Sequence, residues 1–192
     1  MKKLFLILLT ALLLTACGNK SGIDLKYDGQ SIPFETKSSW ITTQEALYGS
    51  SVKASTDKHA LRWITLRNFD YEVKNALDTA GNPTADGQVK LFFSIHEDPG
   101  TNPNTPIKVS NFSGANDGPM SLEFVNVFIF KDGKVETYPV SLGSQTNRKD
   151  SEVKILSVTD DSITGEVNVT VKARDKELLI KGPFTAKIFK SK

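Results

Sequence analysis

From Ser121 onward the sequence alternates between runs of β-forming residues and turn signals, and this pattern limits the chain to a few folds. "SLEFVNVFIF" and "KVETYPV" flank Lys131-Asp132-Gly133-Lys134. An Asp-Gly between two such runs predicts a hairpin, because the glycine supplies the positive φ of a tight turn. In the first run Leu122, Phe124, Phe128 and Phe130 point one way and Val125, Val127 and Ile129 the other, which predicts a central strand covered on both sides. "EVKILSV", a turn at Asp160-Asp161, and "ITGEVNVTV" repeat the scheme. Here Val167, Val169 and Val171 alternate with Glu166, Asn168 and Thr170, so one face is buried and the other wet. "ELLIK", a turn at Gly182-Pro183, and "FTAKIF" complete it. Strands spaced by about 8 to 12 residues predict a mostly β domain, an antiparallel β-sandwich with a β-barrel as the alternative.

The N-terminal half adds "IDLKYDGQSIPFE", a hairpin around Asp28-Gly29, the strands "ALRWITL" and "QVKLFFSI", and a short strand "IKVSN". One or two short helices are expected there. "TTQEALYG" has a capping box, Thr42 with Glu45, and a stop at Gly49. "DYEVKNALDTAG" puts Val73, Leu77 and Ala80 on one face and ends at Gly81. Residues 23–192 have the length of a single domain with room for a core.

The first residues are a different kind of segment. Lys2 and Lys3 precede "LFLILLTALLL", an apolar run of signal-peptide length and well short of the ~20 residues a membrane-spanning helix needs. The run ends in Leu14-Thr15-Ala16-Cys17, and Cys17 is the one cysteine of the chain, so no intrachain disulfide is its purpose. This stretch resembles the lipobox of bacterial lipoproteins. The resemblance implies a signal peptide over 1–16, a diacylglycerol on the Cys17 thiol, and an acylated, palmitate-type amino end after cleavage. Residues 17–22, the lipidated cysteine followed by "GNKSG", read as a short flexible tether. Long acyl chains contribute about 0.8 kcal/mol per buried CH₂, enough for two or three to hold a protein on a bilayer. The tether residues 18–22 reach at most ~17 Å. Gly18 stands where, in lipoproteins of two-membrane envelopes, aspartate favours retention in the inner membrane. By that resemblance the protein is expected on the periplasm-facing leaflet of an outer membrane, or on the outer face of the plasma membrane in a single-membrane bacterium.

The whole chain has 24 Lys and Arg against 22 Asp and Glu, and loss of Lys2 and Lys3 leaves 22 of each. A neutral domain has no general attraction to polyanions, so nucleic acid is not an expected partner. The membrane, through the lipid on Cys17, is one partner; an envelope protein or a small ligand is the other.

No catalytic, metal or cofactor set emerges from the remaining residues. His96, in "SIHEDPG", is not part of an HExxH motif, and both His59 and His96 are expected as surface histidines. "YGSSV" and "NFSGA" are not nucleophile elbows. "NPTADG" reads as a turn, since the place of an EF-hand's last acidic ligand falls on Phe93. Trp40, Trp63, Tyr48, Tyr71 and Tyr138 are candidates for a sugar-stacking surface, with core packing as the default for Trp63. Strand counting places the loops 78–87, 112–119 and 142–151 at one end, with 97–106 at the other, and the three-loop end is the expected binding surface. The resulting expectation is a membrane-anchored lipoprotein with a non-catalytic binding or structural domain. A polysaccharide hydrolase acting through paired carboxylates and a carrier of apolar ligands are the alternatives.

Radiolabelled palmitate fed to expressing cells should enter the wild-type protein. Cys17→Ala should take up none and should move the domain from the membrane to the soluble fraction. A labelled Cys17→Ala protein would remove the lipidation reading.

Overall fold

The computed structural model describes residues 22–47, 58–78, 81–146 and 148–190. They form eleven strands: β1 Asp24–Tyr27, β2 Gln30–Ile32, β3 Ser38–Leu47, β4 Lys58–Arg67, β5 Val89–His96, β6 Ser110–Ser113, β7 Ser121–Lys131, β8 Lys134–Ser141, β9 Glu152–Val158, β10 Ser162–Ala173 and β11 Lys176–Ile188. All belong to one mixed sheet. A ribbon β3-β4-β5-β7-β8 is antiparallel throughout, and so is a second ribbon β6-β9-β10-β11-β1-β2. Two short parallel contacts join them: Ser113 opposite Ser121, and Lys187–Ile188 opposite Trp40–Ile41.

The core is a single apolar cluster fed by both ribbons. Ile64, Leu66, Leu91, Phe93, Val125 and Val127 come from the first, and Val153, Ile155, Val167, Val169, Val171 and Ile180 from the second. The period-2 alternation over β10 appears as expected, with Val167, Val169 and Val171 buried and Glu166 exposed. The hairpins at Asp28-Gly29 and Asp132-Gly133 also form, and in each the Asp and the Gly have positive φ. They close tight turns that the flanking strands require.

Several expectations fail, each for a local reason. Among the described residues the helical elements are two 3₁₀ turns, Leu142–Ser144 and Arg148–Asp150, both in the C-terminal half. The short helices expected in the N-terminal half are absent from those residues. Thr42–Leu47 belongs to β3, paired with β4, and Glu45 meets Lys58 at 2.8 Å instead of closing a capping box. Tyr48 and Gly49 lie outside the described residues. Pairing with a long neighbouring strand outweighs a weak local helix signal. Residues 70–78 are irregular, because the Asp78 carboxylate accepts from the Lys74 backbone N–H (2.9 Å) and the Tyr71 hydroxyl (2.8 Å). Such side-chain bonds compete directly with a helix.

Gly182-Pro183 is not a turn; β11 runs straight through it. β1 pairing ends at Lys181 and β3 pairing begins at Lys187, so Pro183 falls where β11 has no outer neighbour. Gly182 has φ +145, and a Cβ there would lie 2.6 Å from the Gly22 carbonyl. Gly22 and Ile23 therefore lie against the middle of β11.

β7 carries a bulge. Ser94 and Ile95 face Phe124 and Leu122, which leaves Glu123 as an extra residue. The bulge moves Leu122 to the same buried side as Val125 and Val127. The opposite side of β7 is not fully covered: Phe124 is 38% exposed, and Phe128 and Phe130 are half-buried.

The loop arrangement differs as well. β4, β5, β7 and β8 alternate in direction, so connection 68–88 lies at the end of the Asp132-Gly133 turn. Loops 97–109, 114–120 and 142–151 share the other end, where Arg148 pairs with Asp117 at 2.5 Å. The loop 78–87 is thus separated from the two it was expected to join. The cause is β6, which pairs parallel with β7 and makes no reversal of its own.

Gly165 sits at the register shift between β9 and β10. A Cβ there would run into the Lys154 carbonyl and approach the Phe184 ring to 2.5 Å. Gly165→Ala should cost about 1–3 kcal/mol by overpacking, read as a lower urea midpoint with an unchanged slope. A variant as stable as wild type would mean that the bulge relaxes freely.

Candidate functional site

Trp40 borders two grooves on the surface of the described residues. It lies near the start of β3, and its indole Nε1 donates to the Tyr71 carbonyl at 3.1 Å. Ser38 Oγ donates to the Phe69 carbonyl (2.8 Å), and the Lys37 backbone N–H to the Arg67 carbonyl (2.8 Å). These three bonds fix the start of β3 to the segment that leaves β4. The end of β11 arrives from the other side. Lys187 is the parallel partner of Trp40, and its Nζ lies 5.5 Å from the indole centroid. Phe189 N–H donates to the Ile41 carbonyl at 3.0 Å, and Ser39 Oγ donates to the Thr185 carbonyl.

Two adjoining grooves result, with Trp40 and Glu72 in the wall of both. The first, of about 510 Å³, adds Lys37, Ser38, Ser39, Asp70, Tyr71 and Lys187. The second, of about 720 Å³, adds Val73, Lys74, Asn75, Ala76, Phe189 and Lys190. Each has the size of an ordinary small-molecule site. Trp40 supplies a flat apolar plate at their junction, and Phe189 a second in the larger groove.

The outer wall of both grooves is the irregular segment after β4, and a buried polar network holds it down. Arg67 and Lys90 are register partners across β4 and β5, and both are buried. The Arg67 guanidinium lies over the Tyr71 ring, 4.4 Å from its centroid, and Nε donates to the Gly81 carbonyl at 3.2 Å. Lys90 Nζ donates to Asn82 Oδ1 at 2.5 Å and sits 4.0 Å from the Phe128 ring centroid. Burial pushes Lys90 down to about 8, assisted by the Arg67 charge and opposed by Asp78. Burial also lowers Arg67 to about 10, which leaves it charged at neutral pH. Burial and the hydrogen bond to Asp78 raise Tyr71. Gly81 has φ +55, and a Cβ there would meet the Tyr71 ring at 2.6 Å, so glycine is required for this close approach.

His59 and His96, expected at the surface, are buried. His59 Nε2 and His96 Nδ1 are 2.6 Å apart, and His96 Nε2 contacts the carboxylate of Glu123, the bulged residue of β7. The chain Glu123–His96–His59 runs from a half-exposed carboxylate inward. It is linear and does not converge on a point. Among the described residues no group of three or more His, Cys, Asp or Glu is placed to hold a metal ion.

Arg62 and Glu97 form a buried ion pair at 2.7 Å, and Arg62 also donates to Thr43 Oγ1 at 2.7 Å. Burial raises the Glu97 carboxyl, and Arg62 opposes that shift.

Of the aromatic candidates, the structure joins Trp40 and Tyr71 at the grooves. Trp63 is half-buried on the outer face, 5.9 Å from Phe92, and Tyr138 packs at 4.6 Å on Tyr27. Tyr48 and Cys17 lie outside the described residues. Lys37, Lys74, Lys187, Phe189 and Lys190 were not singled out in the sequence. No local pattern marks them, since they meet only when β3, β11 and segment 70–76 come together. Comparison with known proteins returns no match: no family model, no curated protein and no solved structure resembles the chain.

Unfolded, Lys90 should titrate near the ordinary lysine value of 10.5; folded, it titrates near 8. Between these values the unfolded chain binds more protons, so stability rises with pH as the buried charge is lost. The raised tyrosines Tyr71 and Tyr138 act in the opposite direction higher up, as ionisation begins to favour the unfolded chain. Urea unfolding between pH ~8 and ~9.5 should therefore show a gain that is missing in Lys90→Met. Parallel curves for the two proteins would contradict the depressed value.

Proposed function

We propose that the protein is an envelope lipoprotein, tethered by lipid on Cys17, whose β domain binds a ligand at Trp40 without chemical change. The observation that carries this reading is the construction of the site. Backbone hydrogen bonds and one indole N–H fix a flat aromatic ring between two grooves, and a buried network anchors the wall. Such pre-organisation lowers the ordering cost of binding. The finer architecture in this reading is a sandwich, with the two ribbons packed face to face over the shared core. The location is the periplasm-facing leaflet of an outer membrane, or the outer face of the plasma membrane where there is one membrane.

A second reading has one observation in its favour. Asp70 and Glu72 both line the first groove beside Trp40 and Tyr71. Two carboxylates next to an aromatic plate could cleave a polysaccharide rather than hold it.

Site-specific photo-cross-linking in intact cells separates these cases. A cross-linker replacing Lys37, in the first groove, should capture one dominant species. The same group replacing Lys131, in the β7–β8 hairpin, should not. Capture should fall in a Cys17→Ala background, which takes the domain off the membrane. Equal capture from both positions would refute the groove as the binding surface. Glycan fragments released by wild type, but not by Asp70→Asn or Glu72→Gln, would replace the binding reading with the hydrolase.

A further inference from the structure

We infer that the paired grooves accept an acidic glycan, a chain of sugars carrying carboxylate or phosphate groups, lying across Trp40 from one groove to the other. The inference rests on the Trp40 binding reading and specifies its ligand.

The first argument is repetition. Each groove alone has the volume of a small-ligand site, yet the two share Trp40 and Glu72. A compact ligand needs one such site. A ligand made of similar units fills two in series. The second argument is charge. Each groove contributes two lysines of its own: Lys37 and Lys187 in the first, Lys74 and Lys190 in the second. Asp70 and Glu72 balance the two lysines of the first groove, and the second has only the shared Glu72, so over the pair four lysines face two carboxylates and the excess lies at the Lys74 and Lys190 end. Lys190 pairs with Asp161 at 2.8 Å, but both side chains are well exposed, so an incoming anion displaces that pair at little cost. A cation pair on each side of a flat ring matches a ligand whose negative charge recurs along its length. The third argument is the ring. Trp40 is fixed through Nε1 and borders both grooves, an apolar plate against which the C–H face of a sugar ring can pack.

Other polyanions fit less well. The cations of the grooves are all lysines, and the domain as a whole is neutral, whereas nucleic-acid sites rely on an extended basic surface with arginine prominent. A bilayer requires a protruding basic surface, and these lysines lie on the walls of a concavity. An extended peptide adds to a free strand edge. Here the open outer edge of β11 is only residues 182–186, where Pro183 has no N–H to offer and the Thr185 carbonyl already accepts from Ser39 Oγ.

The test uses the full lipidated protein in detergent micelles, with tryptophan fluorescence and calorimetry as readouts. The probes are oligogalacturonates of two, four and eight units, a phosphorylated mannan, neutral malto-octaose, a DNA duplex and phosphatidylglycerol vesicles. The acidic octamer should bind at least tenfold tighter than the acidic dimer and than malto-octaose, and should weaken as salt rises. Oligogalacturonate and phosphomannan together tell a carboxylate-bearing from a phosphate-bearing ligand. Lys187→Ala and Lys74→Ala should each weaken binding about five- to tenfold, while Lys131→Ala should not. Trp40→Ala should weaken it further, and Trp40→Phe should restore part of it and confirm that the fold is intact. Equal binding of malto-octaose, unaffected by the lysine variants, would overturn the acidic ligand yet keep the groove. Glycan binding unchanged in both Trp40 variants would overturn the groove itself. Tighter binding of the duplex or the vesicles than of any glycan would overturn the inference in favour of that polyanion.

Discussion

Arg67 and Lys90 face each other across β4 and β5, and the candidate site depends on what makes their burial tolerable. Antiparallel neighbours such as β4 and β5 need only a tight turn between them. Here the described residues 68–78 and 81–88 lie between them, and Tyr71, Gly81 and Asn82 cover Arg67 and Lys90. An irregular segment of that length lacks a ladder to satisfy its backbone, so it must be held by side chains. Two cations side by side in a covered position are costly unless the segment above them supplies partners. It does so with the Tyr71 ring, the Gly81 carbonyl, Asn82 and the Asp78 charge. The dependence is mutual: the segment stays down because the cations need it, and the cations stay buried because the segment covers them. Tyr71 links this network to Trp40, since its backbone carbonyl accepts the indole N–H while its ring covers Arg67.

Much of the sheet was legible in the residues because strand signals are local. An Asp-Gly between two apolar runs specifies a hairpin whatever surrounds it, and the Val167-Val169-Val171 alternation names its buried face unaided. The errors occur where a distant partner decides. Thr42 and Glu45 spell a capping box, but β4 lies alongside and pairs the backbone. Gly182-Pro183 spells a turn, but the gap between β1 and β3 along β11 lets both residues remain in a strand. The β7 bulge reverses which side Leu122 occupies, and nothing in "SLEFV" announces it. His59 and His96 looked solvent-facing because they lie at polar strand ends. Each buries its ring by finding the other, a pairing across β4 and β5 that single-strand periodicity does not reveal.

The groove was less legible than the fold, for the same reason taken further. Trp40 and Tyr71 stood out as aromatics, but lysine is common on any surface and is not informative in isolation. Lys37, Lys74, Lys187 and Lys190 acquire meaning only from three chain segments meeting. Two of those meetings involve the weakest links of the sheet, the short parallel contact of β11 with β3 and the irregular wall after β4. Sites built between elements rather than on one are the usual case, and they are the part of a protein that sequence order conceals most completely.

The position of the groove relative to a lipid on Cys17 follows from β11. Gly22 packs against Gly182, and Lys187 lies five residues farther along the same strand, about 17 Å at strand rise. Residues 18–22, the proposed tether, would add at most a similar distance. With the proposed lipid on Cys17, a groove so placed would stay within roughly 35 Å of the bilayer. A neutral domain does not draw polyanions from afar, since charges beyond about 8–10 Å are screened at physiological salt. Its four groove lysines act only on what already touches them. In the proposed reading a lipid on Cys17 would supply the encounter that long-range attraction otherwise supplies, by keeping the groove at high local concentration over one surface. On this view the lipid and the lysines divide the work of recognition: the anchor determines where the ligand is met, and the groove determines which ligand is kept.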